Sequence, residues 1–208
     1  MNTNIEKIKN SKLFDDNDKK FINEIFKLGC NAREKWGHKC FKPIYDKAKD
    51  KLVKTQERYC FYCQKQYLDI DYDDWHIDHI VPIDEDDRFV FTEENLILSC
   101  KWCNRRKNDK PVLVNKPKSN LYSLSSLNYR IIHPRLDEYK ENINIFAGAL
   151  YVGKTSKGRR TIYDCVLDRF ELNFITNLNS NDRDFIEGAL EYIRNNGKDK
   201  FIKFIKSL

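Results

Sequence analysis

Residues 60–109 read CFYCQKQYLDIDYDDWHIDHIVPIDEDDRFVFTEENLILSCKWCNRRKND, and the order of residue types in this stretch decides the fold. Cys60 and Cys63 form one C-x2-C pair and Cys100 and Cys103 a second, with 36 residues between the pairs. Two such pairs supply four thiolates, and tetrahedral zinc closes on four soft ligands without a preformed core. A site of four cysteines leaves no coordination position open, so the zinc it implies is structural and any chemistry lies beside it.

Between the pairs, 76–83 and 95–99 have strand composition, and 102–110 can form a short helix whose start is pinned by the second pair. That is β, β, α with zinc fastening its ends. Charge is distributed unevenly around it. From Asp69 to Glu94 there are eleven acidic residues and one basic residue, Arg88, a local charge of −10 in a chain of net charge +6, so the remainder carries +16. Such an acidic stretch is either a solvated loop or an acidic pocket for a cation within a basic surface that attracts phosphate. The short helix after the second strand carries Lys101, Arg105, Arg106, Lys107 and Lys110 against Asp109.

Outside this core the signals are structural. Phe14, Phe21, Ile22, Ile25, Phe26 and Leu28 recur at helical spacing, with Asp15–Asp18 to cap the run, and a second charged helix is expected from Pro43 to Arg58. The apolar stripe of these helices is expected to be core. Segment 111–128, with two prolines and several Ser and Asn, reads as a connector crossing the surface. Strands are expected near 150–152 and 161–166, a helix over 182–195, and a short basic end. The organisation implied is a helical segment over 1–58, the zinc-stapled core over 59–112 and an accessory region over 113–208.

Two other patterns carry no function. GALYVGKT at 148–155 matches G-x-x-x-x-G-K-[ST], but the residues after it read as a turn entering a strand, whereas a phosphate loop leads into a helix. Cys30, His38 and Cys40 are too few and too irregular for a second zinc and read as structural thiols; Cys165 reads as core. Trp102 is expected to pack over the second cysteine pair. His76 reads as a strand residue satisfied by hydrogen bonds, although it lies two residues before Asp78. With no apolar run near the roughly 18 residues of a membrane span and a charged start, MNTNIEKIKN, the chain is expected in the cytoplasm, away from membranes, with its thiols reduced.

The stretch from Cys60 to Asp109 resembles the HNH endonucleases, which have a ββα-metal fold and, in many members, a four-cysteine zinc site. The matching elements are Asp78-His79 followed by Ile-Val-Pro, Asn95-Leu96 opening the second strand, and C-x-x-C-N-x-x-K ending in Lys107. The resemblance implies an α+β protein that hydrolyses phosphodiester bonds, in DNA before RNA. Such hydrolysis needs a base for water, a cation for the phosphate, and positive charge to hold the backbone. His79 suits the base; Asp78 and Asn104 offer oxygens to a Mg²⁺ or Mn²⁺ ion; Lys101, Arg105, Arg106 and Lys107 are candidate phosphate contacts. Asn95, by resemblance, should bond the backbone near His79 and hold the loop between the strands. Asn104 stands where many members have His, which favours a hard ion over catalytic zinc. Asn108 would be an extra ligand or face solvent. Asp78 and His79 are adjacent, so they share one site only if the strand bends there. The alternatives are a zinc-ribbon module that binds nucleic acid without cutting it, and a nuclease for RNA. His133-Pro134-Arg135-Leu136-Asp137, with Gly153, Gly158, Thr161-Ile162 and Leu167-Asp168-Arg169, is similar to the tail of HNH proteins of bacterial antiphage defence. That likeness implies a partner ATPase and leaves self-association open.

Overall fold

The computed structural model describes residues 5–8, 12–68, 72–117, 119–146, 148–170, 197 and 199. The chain forms two compact units, Met1–Leu167 and Asp168–Leu208. In the second, the Arg169 guanidinium lies over the Phe170 ring at 4.2 Å. The expected helix over 182–195 and the basic end fall outside the described residues.

In the first unit α1 (Asp16–Phe26) begins at a reciprocal cap: Asp15 accepts from the amides of Asn17 and Asp18, and the Asp18 carboxylate accepts from that of Asp15. Its inward stripe is narrower than expected. Ile22 and Ile25 are buried, whereas Phe21, Phe26 and Leu28 keep substantial exposure. A one-turn helix, α2 (Ala32–Trp36), precedes α3 (Lys42–Thr55), where Pro43 occupies the first turn, whose amides need no intrahelical partner. Beyond α3, the buried Gln56 amide bonds both the carbonyl and the amide of Leu98, acting as a surrogate strand and tying the helical segment to the sheet.

The sheet is the antiparallel pair β1 (Trp75–His79) and β2 (Leu96–Cys100), in register from Trp75 opposite Cys100 to His79 opposite Leu96. Chain reversal between them takes a long loop, 80–95, closed by the Ile80 amide on the Asn95 carbonyl at 2.8 Å. From β2 the chain passes directly into α4 (Lys101–Lys107), ended by Asn108 at φ +46°. The expected β, β, α order is present, in mixed α/β surroundings.

After the connector come α5 (Tyr139–Asn142), the hairpin β3 (Ile143–Phe146) and β4 (Leu150–Gly153), and α6 (Ser156–Cys165). Here one expectation fails: 161–165 lies in α6 and Val166 is its left-handed cap, so 161–166 is not a strand. The β-branched and aromatic residues that suggested a strand are overridden by a Thr155 cap on the Gly158 amide and by burial of Gly158, Thr161 and Cys165 at helical spacing. Gly158 is required there, since a Cβ would stand 2.0 Å from the Asn142 carbonyl oxygen. The segment 148–155 therefore does lead into a helix, contrary to the expected turn and strand. It is still not a phosphate loop: Leu150–Gly153 is a paired strand, which occupies the positions where a phosphate-cradling loop would have to curl.

Candidate metal centre and active site

The first cysteine pair sits in a tight turn, in which the Gln64 amide bonds the Cys60 carbonyl and the Cys60 amide bonds the Lys65 carbonyl. The second straddles the β2–α4 junction, so strand pairing and helix start together aim Cys100 and Cys103 at the first pair. All four are buried, with their sulfurs within 4.8 Å of one another. Hydrogen bonds from Cys103, Cys60 and Cys63 hold the Cys100 thiol far below its ordinary range, while burial pushes Cys60 and Cys103 up. One thiolate is thus favoured and further ones are opposed, which a divalent cation among the sulfurs would reverse. The set could hold zinc, and it is braced from outside: the Tyr151 hydroxyl donates to the Cys63 carbonyl at 2.5 Å and the Tyr139 hydroxyl to the Tyr62 carbonyl at 2.8 Å.

β1 places His76 and Asp78 on one face and His79 at its end. Asp78 is buried and accepts from the Tyr62 hydroxyl at 2.5 Å and from Lys107 Nζ at 3.3 Å. Burial raises its pKa, against the pull of Lys107 and Tyr62. Lys107 corrects the sequence reading: its side chain is 0% exposed, and it donates to the Asp78 carboxylate and, at 2.6 Å, to the His79 carbonyl. On a short helix Cys103 and Lys107 are one turn apart and must both point inward, so Lys107 cannot be a phosphate contact. The inward position of Cys103 in the cysteine cluster fixes the helix face, and that face buries the lysine.

His79 takes different partners. Its Nε2 lies 2.9 Å from the Val90 carbonyl oxygen, and its ring meets Trp36 of α2 edge-on at 4.5 Å. A carbonyl only accepts, so Nε2 carries the proton; burial lowers the ring's pKa to about 4, so the imidazole is neutral and Nδ1 holds the lone pair. β1 is regular through His79, and Lys107 links the two residues by donating to the Asp78 carboxylate and to the His79 backbone carbonyl.

Asn95 is fully buried. Its Oδ1 accepts from the Val81 amide at 2.7 Å, and its Nδ2 donates to the carbonyls of Val81 and Phe89, both at 3.1 Å. It therefore spans the base of the loop whose Val90 carbonyl holds His79. Asn104, half-buried on α4, has its amide 2.9 Å from His76 Nδ1. A cavity of about 510 Å³, lined in part by Trp36, Tyr45, Lys49, His76 and Asn104, opens beside this pair. His76 is a strand residue satisfied by this hydrogen bond, as expected, and its spacing of two puts it on the strand face of Asp78. The sequence reading missed Trp36 and Val90, for which no local signal exists.

The outward side of α4 presents Arg105 and Arg106, and Lys101 pairs with Asp74 at 3.1 Å. Trp102 is 59% exposed, and does not pack over the cysteines as expected. The neighbouring Cys103 takes the inward position, and Trp102 falls on the same side as Arg105 and Arg106, three and four residues on. Asn108 faces solvent and bonds Asp109. Of the other cysteines, Cys40 is exposed, contrary to a structural role, and Cys165 is core. Among the described residues the acidic loop forms no cation pocket. Asp84 pairs with Arg33, Asp86 with Arg88, and Glu93 with Lys19 and the Leu13 amide, while Glu85 accepts from the amides of Val112 and Leu113. Its acids anchor the loop to the N-terminal helices and the connector.

Residues 60–110 match the family model described as HNH endonuclease. No curated protein and no solved structure matches the chain.

Proposed function

We propose that the HNH endonuclease domain at residues 60–110 makes this chain a divalent-metal-dependent nuclease that cleaves DNA, with His79 as general base and Asp78 and Asn104 as protein ligands of a Mg²⁺ or Mn²⁺ ion. The observation that carries the proposal is the state of His79: a neutral imidazole held in one tautomer by the Val90 carbonyl, its Nδ1 lone pair unprotonated. A module that only binds nucleic acid has no use for such a group.

Nδ1 would take the proton of the attacking water while Nε2–H stays on Val90, so the ring need not reorient during the reaction. A base held near 4 is weak, and the negative phosphodiester arriving beside it favours the imidazolium and strengthens it. The donor types suit a hard ion: a carboxylate whose orientation Tyr62 and Lys107 fix, and, on the helix, the amide of Asn104, whose nitrogen lies against His76 Nδ1 and so leaves its oxygen for a cation. Such an ion, when bound, would neutralise charge on the phosphate and leaving oxygen. Arg105 and Arg106 would hold the flanking backbone, without base readout.

The exposed Trp102, one helical turn before these arginines and on the same side, also suits unstacked bases, which favours including single strands and RNA as substrates. The test is cleavage of labelled duplex DNA, single-stranded DNA and RNA with Mg²⁺ or Mn²⁺ by the wild type and by His79→Ala. The variant should bind nucleic acid and not cut it; near-wild-type cutting would remove His79 from the base role. The likeness of the tail extends the proposal to an antiviral effector acting with a partner ATPase, which co-purification of the two and phage challenge with and without His79→Ala would test.

A further inference from the structure

Beyond residue 110 a line of buried and part-buried hydrogen bonds runs back to the candidate site. The Arg135 amide donates to His133 Nδ1 at 3.2 Å, His133 Nε2 lies 2.9 Å from the Tyr122 hydroxyl, and that hydroxyl lies 3.2 Å from Asn95 Oδ1. The polarity of this line is forced. An amide can only donate, so His133 Nδ1 is unprotonated and the ring proton sits on Nε2. That proton goes to the Tyr122 oxygen, which leaves the phenolic hydrogen for Asn95 Oδ1 and the neighbouring Tyr129 oxygen, whose own hydrogen goes to the Ser123 carbonyl. Burial favours the same neutral form, lowering the pKa of His133 to about 3. The Arg135 guanidinium fastens the other end, donating to the carbonyls of Glu93 and Leu96, on either side of Asn95.

An asparagine amide can rotate by half a turn and exchange its donor and acceptor ends. Here only one orientation serves: Oδ1 toward the Val81 amide and the Tyr122 hydroxyl, Nδ2 toward the carbonyls of Val81 and Phe89. Phe89 precedes Val90, whose carbonyl holds His79.

We propose that Tyr122 and His133, both outside the matched domain, are positioning residues of the nuclease site: together with the Val81 and Phe89 backbone they hold Asn95 in place, and through the loop at 80–94 they hold the Val90 carbonyl that selects the tautomer of His79. The catalytic part of this inference rests on the function proposed above; the structural part does not.

Tyr122→Phe separates the hydroxyl from the ring, which packs edge-on against Phe89 at 5.1 Å and beside Tyr129. The full-length zinc-loaded variant should keep its fold. Its kcat should fall roughly tenfold to a hundredfold with KM for the nucleic acid unchanged, because no phosphate contact is touched. Long-range ¹H–¹⁵N spectra should show His79 as a single Nε2–H tautomer in the wild type and as a mixture in the variant. His133→Gln, whose amide NH₂ can stand in for Nε2–H, should keep most of the activity, and His133→Leu should behave as Tyr122→Phe; this pair decides the matter if Tyr122→Phe fails to fold. Wild-type kcat and an unchanged His79 tautomer in Tyr122→Phe, or equal activity in the two His133 variants, would overturn the proposal. If the wild type cuts nothing, the nuclease reading fails, and the His79 spectra still decide whether Tyr122 sets the tautomer.

Discussion

Lys107→Met probes the buried ion pair at the candidate site. The side chains of Lys107 and Asp78 are 0% and 6% exposed, with Nζ 3.3 Å from the carboxylate, so neither charge is appreciably solvated. Methionine matches the length of the lysine stem and packs well in irregular cores, so the main loss is the cation and its bonds to Asp78 and the His79 carbonyl. Breaking a buried pair on one side costs about 3–5 kcal/mol, which for a unit of this size is a fall in Tm on the order of 10 °C. The deficit should depend on pH. Asp78 already sits above its ordinary pKa because of burial, and losing Lys107 raises it further. A carboxyl whose folded pKa is raised is destabilising once pH exceeds its unfolded value near ~4, so the deficit should be small at low pH and grow as pH rises through the new folded pKa. Replacing both partners removes the orphaned charge, and Asp78→Asn/Lys107→Met should recover at least half of the loss. The assay is thermal unfolding of zinc-loaded protein at several pH values. A Lys107→Met variant that melts within about 2 °C of wild type at neutral pH, or a double variant no more stable than the single one, would refute the reasoning.

Metal analysis of protein purified without chelator should find one zinc per chain, and Cys→Ser at Cys60, Cys63, Cys100 or Cys103 should remove it and lower Tm, since metal binding is coupled to folding. Arg105→Ala/Arg106→Ala should weaken binding of all sequences alike and reduce the salt dependence of log K by about two phosphate contacts; a loss confined to one sequence, or none, would move the binding surface elsewhere. Acid should destabilise the fold through two histidines: His79 is held near 4 and His133 near 3, against roughly 6.5 when unfolded. Their neutral forms are favoured in the folded state, so this contribution is complete above about pH 6.5 and is lost as pH falls toward 4 and 3, roughly 3 and 5 kcal/mol; a Tm that does not change between pH 7 and pH 4 would contradict both burials.

The four-cysteine cluster, the β, β, α order and the cap of the first helix were legible in the sequence because each depends on residues a few positions apart. C-x2-C closes one turn of a metal site, Asp15 reaches amides two and three residues on, and strand composition changes to helix composition within the second cysteine pair. Reading Lys107 as a phosphate contact failed for a tertiary reason. Its charge is the same in either direction, and only the tethering of Cys103 to the first cysteine pair, 40 residues earlier, turns that face of the helix inward. The same tether turns Trp102 outward. The partners of His79 come from α2 and from eleven residues downstream, those of Asn95 from a connector whose composition suggested only a surface crossing. Residues 161–166 have the composition of a strand, and 161–165 became helix because a glycine lets α6 press against the Asn142 carbonyl. Hydrogen-bond polarity and burial are set by whichever side chain arrives from elsewhere in the chain, and that is a property of packing, which spacing along one segment does not encode.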